Sequence, residues 1–66
     1  MRIVVNDEPR QAADGATVAE LLAQLGFGGK PVAVEVNMHL VPRQRHAEHR
    51  LADDDRVEIV TLVGGG

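Results

Sequence analysis

The sequence predicts one small α+β domain in which a single helix covers one face of a mixed sheet of four to five strands. Runs rich in β-branched residues at both ends of the 66-residue chain alternate like half-buried strands, and one stretch near residue 20 has helical periodicity. Turn signals separate the remaining segments. Because the helix supplies a covering layer, we expect the first and last strands to be central, parallel and paired with each other.

The N-terminal segment predicts a hairpin. Residues 1–5 alternate, which places Ile3 and Val5 on one face of a strand and Arg2 and Val4 on the other. Residues 6–8 are typical of a turn, and a short second strand is expected near residues 10–12.

The helix follows a break at residues 14–16. Thr17 and Glu20 have the spacing of a capping box, in which each side chain accepts a hydrogen bond from the other residue's backbone amide. Gly26 can adopt the left-handed conformation that ends a helix. The apolar residues of the segment share one helical face, at positions i, i+3, i+4 and i+7: Val18, Leu21, Leu22 and Leu25.

The second half of the chain predicts the rest of the sheet. A glycine-containing connector at residues 27–31 has no phosphate-binding signature and precedes a third strand at residues 32–36. A reversal at residues 37–39 leads to a short fourth strand that Pro42 ends.

Residues 43–52 carry charged side chains without clean periodicity, so we expect an irregular segment, with Ala47 and Leu51 able to hold a short helical turn against the core. The three aspartates at residues 53–55 are typical of a turn whose carboxylates accept hydrogen bonds from nearby backbone amides. The last strand is expected to start at Arg56 and to lead into the terminal glycines.

Composition excludes several functional classes. The chain is 44% hydrophobic with a net charge of −3 and no cysteine, so it cannot form a disulfide or a thiolate zinc site. Acidic charge and a single aromatic residue argue against nucleic-acid binding. No apolar run has the length of a membrane span, so we expect a cytoplasmic protein.

The C-terminal glycines are the most informative feature. Gly64, Gly65 and Gly66 lack Cβ atoms, so an extended tail of these residues fits a slot too narrow for side chains and presents its carboxylate to another protein's active site. We therefore divide the chain into a globular domain at residues 1–63 and a flexible tail at residues 64–66. The chemistry is expected to be done on this chain by partners.

The whole chain resembles the ubiquitin-like β-grasp sulfur carriers, and within them those of thiamine biosynthesis. The resemblance covers nearly all 66 residues in order, and it rests on these segments: Asn6, residues 15–22, residues 32–37, residues 41–43, residues 55–60 and the terminal glycines.

The resemblance implies a non-enzymatic cosubstrate with no bound cofactor. An E1-like adenylyltransferase of the ThiF/MoeB type uses ATP to adenylate the carboxylate of Gly66, with Gly64 and Gly65 threading the active site. A sulfur donor enzyme then displaces AMP to leave a thiocarboxylate, from which thiazole synthase takes the sulfur. A carboxylate is a poor electrophile, and this sequence has no nucleotide-binding motif of its own, which agrees with activation by a partner.

Docking of these partners is expected on the sheet face away from the helix. If Val57 and Ile59 point into the core, alternation places Val60 and Leu62 on the opposite face, where Val4 of the paired strand joins them. An apolar group beside the tail is a natural docking surface.

The three histidines do not predict a metal site. His46 and His49 could share a helical face, but no third ligand follows from the spacing of His39, and neighbouring arginines oppose a bound cation, so we expect a solvated polar loop.

Three positions depart from the family pattern: Met38 and Asp54 replace glycines of turns, and His46 stands near a family tryptophan. Met38 and Asp54 are expected to raise the cost of left-handed turn geometry.

Alternative functions share the same terminus. Three other functions fit the fold and the tail: the small subunit of molybdopterin synthase, some other thiocarboxylate sulfur donor, and a protein modifier that forms an isopeptide with lysine. An interaction module with an idle tail also fits them. The sequence leaves open the acceptor pathway, the sulfur donor and the oligomeric state.

Overall fold

The computed structural model describes residues 1–62, and these form one five-stranded mixed sheet with a helix packed on one face. The elements are β1 (Arg2–Val5), β2 (Glu8–Gln11), α1 (Val18–Gln24), β3 (Val32–Val36), β4 (His39–Val41) and β5 (Arg56–Thr61), with a 3₁₀ helix at Arg43–Arg45. The strand order is β2-β1-β5-β3-β4. The predicted α+β class and mixed sheet are confirmed.

The two ends of the chain meet inside the sheet. β1 runs parallel to β5, with Val4 opposite Arg56 and Val5 opposite Val57. β5 pairs antiparallel with β3 on its other side, and the β1–β2 and β3–β4 hairpins complete the sheet. The expected parallel pairing is confirmed, with β5 in the central position and β1 second from the edge.

Both hairpins turn through two residues with positive φ. The angles are 49° and 66° at Asn6-Asp7, and 51° and 70° at Asn37-Met38. Positive φ at both central positions is typical of a type I′ turn, whose twist matches that of the flanking strands. Because the turns are this tight, β2 already begins at Glu8 and β4 at His39, in segments that the sequence predicted as turns.

The helix begins as predicted. The amide of Glu20 donates to the Thr17 hydroxyl at 3.1 Å, and the amide of Thr17 donates to the Glu20 carboxylate at 2.9 Å, so the capping box is complete. Gly26 follows the helix with a φ of 86°, as expected for a C-terminal glycine. Val18 and the two leucines at 21 and 22 are buried against the sheet.

The core lies between the helix and one face of the sheet. Its most deeply buried large side chains come one each from β1, α1, β3 and β5: Ile3, Val18, Val34 and Val57. The strands therefore bury alternate residues on the helix side and leave the other face uncovered by the described residues.

The segment between β4 and β5 differs from the prediction. Ala47 is exposed, whereas His46 is 8% exposed and its Nε2 lies 3.0 Å from the carbonyl oxygen of Val41. The expected solvated loop is therefore wrong for His46. Leu51 is buried as expected.

The aspartate turn closes onto β1. The carboxylate of Asp53 accepts from the amide of Arg2 at 2.8 Å, and that of Asp55 accepts from the amide of Ala52 at 2.8 Å. The predicted capture of backbone amides by this turn is confirmed. These bonds fix the start of β5 beside the start of the chain.

Candidate functional site

The predicted reacting residue Gly66 and the threading residues Gly64 and Gly65 lie outside the described residues, as does the domain boundary after residue 63. β5 leads toward them and ends at Thr61. The amide of Leu62 then donates a 2.9 Å hydrogen bond to the carbonyl of Pro31. The last described residue is therefore tied to the segment that precedes β3, at one end of the sheet.

Side-chain amides hold β5 from both sides. Asn6 donates from Nδ2 to the carbonyl of Ile59 at 3.2 Å and accepts the amide of the same residue at 2.8 Å, so its side chain continues the β1 ladder after the backbone has turned away. Asn37 accepts the amide of Arg56 at 3.0 Å on the β3 side. These contacts fix the strand that leads to the candidate site.

The sheet face opposite the helix, which we call the outer face, carries the predicted docking residues Val4 and Val60. Val57 and Ile59 are 1% and 7% exposed on the helix side, and alternation points Glu58 and Val60 to the outer face. Val60 is 58% exposed. Cross-strand register adds further outer-face residues: Ala33, Glu35 and Leu40.

Val4 does not join Val60 as the sequence suggested. The parallel register places Val4 opposite Arg56, four residues before Val60. At about 3.3 Å per residue, roughly 13 Å of strand separates the two valines. Alternation alone gives the face of each residue but not the register of parallel strands, which is why the sequence grouped them.

The neighbours of Val60 and Glu58 come instead from the β3–β4 hairpin. Ala33 pairs with Val60, Glu35 pairs with Glu58, and Leu40 pairs with Glu35. Leu40 is 66% exposed. Sequence reasoning missed this residue, although a two-residue turn at residues 37–38 fixes the hairpin register and would have found it.

Leu62 lies between the outer face and a cavity on the helix side of the sheet. It is 51% exposed, and it also lines an open cavity of about 470 Å³ on the helix side of the sheet. The cavity is mainly apolar, with cationic side chains on its lining. Its residues include Leu22, Phe27, Val32, Lys30 and Arg43.

The titratable groups of the described residues do not form a metal site. Among residues 1–62, no three His, Cys, Asp or Glu side chains lie close enough to hold a metal ion. Hydrogen bonds from the Thr17 backbone amide and hydroxyl lower the pKa of Glu20 below its ordinary value of 4.5, which stabilises the helix cap. No helix in residues 1–62 combines the length and apolar character of a membrane span.

Comparison with known proteins gives matches over the whole chain. A model of the ThiS family matches residues 3–66. The sulfur carrier protein ThiS of Escherichia coli is 38% identical over 66 residues, which are all of both chains. The crystal structure of thiamine biosynthesis protein ThiS from Geobacter metallireducens superposes with a TM-score of 0.85 at 32% identity, again over all of both chains.

Thiazole synthases also match. That of Paramagnetospirillum magneticum is 41% identical over 66 residues, and that of Magnetococcus marinus is 42% identical over the same length. The chain spans 20% of the length of each of these proteins. Part of each of these thiazole synthases therefore resembles the whole of this chain.

Proposed function

Because the chain belongs to the ThiS family, we propose that it is a sulfur carrier of thiamine biosynthesis whose Gly66 carboxylate is converted to a thiocarboxylate. The observation that carries the proposal is the extent of the match. The family model reaches residue 66, and the Escherichia coli carrier aligns from end to end, so the glycines are part of the resemblance. The chain serves as a protein cosubstrate.

The chemistry follows from the reactivity of a carboxylate. Its negative charge repels nucleophiles, and oxide is a poor leaving group. Attack of the Gly66 carboxylate on the α-phosphate of ATP forms an acyl-adenylate and releases pyrophosphate. Hydrosulfide delivered by the sulfur donor then adds to the acyl carbon and expels AMP, and loss of its proton leaves a thiocarboxylate with sulfur in place of one terminal oxygen.

The adenylation site is supplied by a partner in this proposal. The sequence has no Walker-type phosphate-binding motif, and the described residues contain no cluster of carboxylates suited to Mg²⁺. An E1-like adenylyltransferase therefore brings ATP, and a separate sulfur donor enzyme brings the sulfur. This chain contributes by fixing the position of Leu62, which precedes the tail. The hydrogen bond from Leu62 to Pro31 holds this residue beside exposed apolar residues of the sheet.

The sulfur acceptor in this proposal is a thiazole synthase. Two thiazole synthases contain a segment that matches this chain over its full length. A carrier and the enzyme that consumes its sulfur act on the same terminus, and linking them in one polypeptide raises their effective concentration. These matches favour thiazole formation over the molybdopterin and protein-modifier alternatives.

Intact-mass spectrometry tests the proposal. After incubation with the adenylyltransferase, ATP and a sulfur source, we expect the chain to gain the mass difference between sulfur and oxygen. Oxidation of Met1 or Met38 adds one oxygen and gives nearly the same mass gain, so the modified peptide must be identified. Trypsin cleaves after Arg56 and no Lys or Arg follows, so the peptide of residues 57–66 must carry the added mass.

The control variant lacks Gly65 and Gly66 and keeps every described residue. It must remain unmodified under the same conditions. An unmodified full-length chain, or sulfur located in another peptide, contradicts the proposed chemistry. A lysine-linked conjugate would assign the chain to the protein modifiers.

A further inference from the structure

Two carboxylates face each other at the centre of the outer face. The antiparallel register of β3 and β5 places Glu35 directly opposite Glu58, and both residues are exposed. Directly opposed residues have Cβ atoms about 4.5–5.5 Å apart, and like charges at that spacing destabilise a sheet. The chain therefore holds an unfavourable pair at a position where a neutral residue would be more stable.

The described residues provide no ion-pair partner for either glutamate. Arg56 lies two residues before Glu58 on the same face, but its guanidinium bonds Asp7 at 3.0 Å. The other two ion pairs within residues 1–62 join Arg45 to Glu48 and the N-terminal amine to Asp14. Neither Glu35 nor Glu58 is therefore paired with a cationic side chain of residues 1–62.

Exposed apolar side chains border the carboxylates. Leu40 is 66% exposed and pairs with Glu35, while Val60 is 58% exposed and follows Glu58 on the same face of β5. Val60 also lies two residues before Leu62, which is the last described residue before the tail. A mixed apolar and acidic surface beside the tail has the composition of an interface with a partner that engages that tail.

We propose that Glu35 and Glu58 together receive an arginine side chain of the adenylating enzyme, with apolar residues of that enzyme against Leu40 and Val60. This proposal rests on the proposed function. A guanidinium presents several N–H donors in a planar fork, so it can bond two neighbouring carboxylates at once, which an ammonium group does less well.

Charge complementarity favours the adenylating enzyme as the occupant. ATP and an acyl-adenylate carry anionic phosphates, so we expect the enzyme that binds them to have positive charge around its active site, and this chain has a net charge of −3. Acidic residues placed on the face that approaches such a mouth speed association and fix the orientation of the tail. The binding of a guanidinium also removes the repulsion between the two glutamates.

The test uses two single variants, Glu35→Gln and Glu58→Gln, in the full chain. The matched control is Glu8→Gln, which makes the same charge change on β2. Glu8 pairs with Val5, whose side chain faces the helix, so Glu8 does not belong to the outer face. Titration calorimetry with the purified E1-like adenylyltransferase of the same organism measures the dissociation constant at low and moderate salt. Thermal unfolding of the free chain is measured in parallel.

We expect each outer-face variant to raise the dissociation constant about tenfold and to reduce its dependence on salt. The same variants are expected to raise the unfolding midpoint of the free chain, because each removes the like-charge pair. Glu8→Gln should leave the dissociation constant close to that of the unsubstituted chain. A merely structural role of the glutamates would not weaken binding while increasing stability.

Unchanged affinity for the adenylyltransferase in both variants overturns the inference, as does weaker binding that is seen only with thiazole synthase. The sulfur-transfer assay separates this result from the fate of the proposed function. The matched control Glu8→Gln should gain sulfur at Gly66 to the same extent as the unsubstituted chain. If the unsubstituted chain gains none, the proposed function fails whatever the measured affinities.

Discussion

Left-handed backbone geometry at non-glycine residues is a recurrent feature of this chain at the scale of single residues. Asn is one of the few non-glycine residues that adopt positive φ readily, and the side chains of Asn6 and Asn37 also form long-range hydrogen bonds to the backbone of β5. Met38 and Asp54 adopt φ values of 70° and 68°. The left-handed turn geometry that the sequence analysis expected to be costly at these two residues is therefore present.

Met38→Gly is expected to stabilise the protein. Met38 is 89% exposed, so its side chain contributes little packing, and removal of Cβ relieves the left-handed strain. The gain should be about 0.5–1 kcal/mol after the larger entropy of the unfolded glycine chain is subtracted. Urea unfolding measures it. Met38→Ala keeps the Cβ and should show no such gain, and equal stabilisation by both substitutions would contradict the strain argument.

Asn6→Gly is expected to destabilise the protein although glycine suits its φ of 49°. The substitution removes the two hydrogen bonds that the side chain makes to the backbone of Ile59. Loss of part-buried bonds of this kind should lower the free energy of unfolding by about 1–3 kcal/mol in urea titrations. Asp7→Gly in the same turn is the control, and it should change stability by no more than about 0.5 kcal/mol. Equal effects of the two variants would show that the turn, and not the Asn6 amide, is responsible.

The helix is the element whose limits followed most directly from sequence. The capping box at Thr17 and Glu20 depends on neighbouring residues only, and the apolar residues of this segment share one helical face. Both ends of the helix were therefore predictable. Glycine at position 26 supplied the stop.

Helix stability should depend on pH through Glu20. Its pKa is lowered in the folded state by hydrogen bonds from Thr17, so its carboxylate contributes stability above the ordinary value of 4.5, and this contribution is lost as pH falls through the lowered pKa. Glu20→Gln should therefore be less stable than the parent at pH 7, with the difference vanishing in acid. Urea unfolding midpoints of both proteins, measured from pH 7 down to acid pH, test this effect. A stability difference between them that does not change with pH would exclude the carboxylate as its source.

The segment between β4 and β5 shows where prediction from sequence failed at this scale. His46 is buried because its ring can bond the Val41 carbonyl, a partner five residues away that periodicity does not reveal. The grouping of Val4 with Val60 failed for a related reason, since the register of two strands from opposite ends of a chain is set by tertiary pairing. Faces were predictable from local alternation, whereas neighbours across the sheet were not.

The stability of the whole molecule depends on a thin core. A domain of this size is expected to have a free energy of unfolding of about 3–10 kcal/mol. Val57→Ala removes two methyl groups from a side chain that is 1% exposed at the centre of the sheet, and it should cost about 2 kcal/mol. Val60→Ala makes the same change on the outer face of the same strand and should cost no more than about 0.5 kcal/mol. Chemical unfolding compares the two variants, and similar losses would contradict the assignment of faces along β5.

The fold class was predictable because one helix and several alternating strands admit few arrangements in 66 residues. The acidic pair of the outer face was not, because Glu35 and Glu58 are ordinary exposed residues until the β3–β5 register brings them together. The terminal glycines remain a prediction from sequence alone, and the family match supports their role without describing their structure.

The position of β5 between β1 and β3 has a consequence for synthesis. A ribosome makes β5 after the other four strands of this sheet, so a nascent polypeptide that lacks it leaves both of its future neighbours without a partner and cannot close the sheet. Native assembly must therefore wait until β5 has been translated, and termination before this strand yields fragments suited to proteolysis. Any molecule that has reached its native state has thereby also acquired the strand that leads to the predicted reacting glycine.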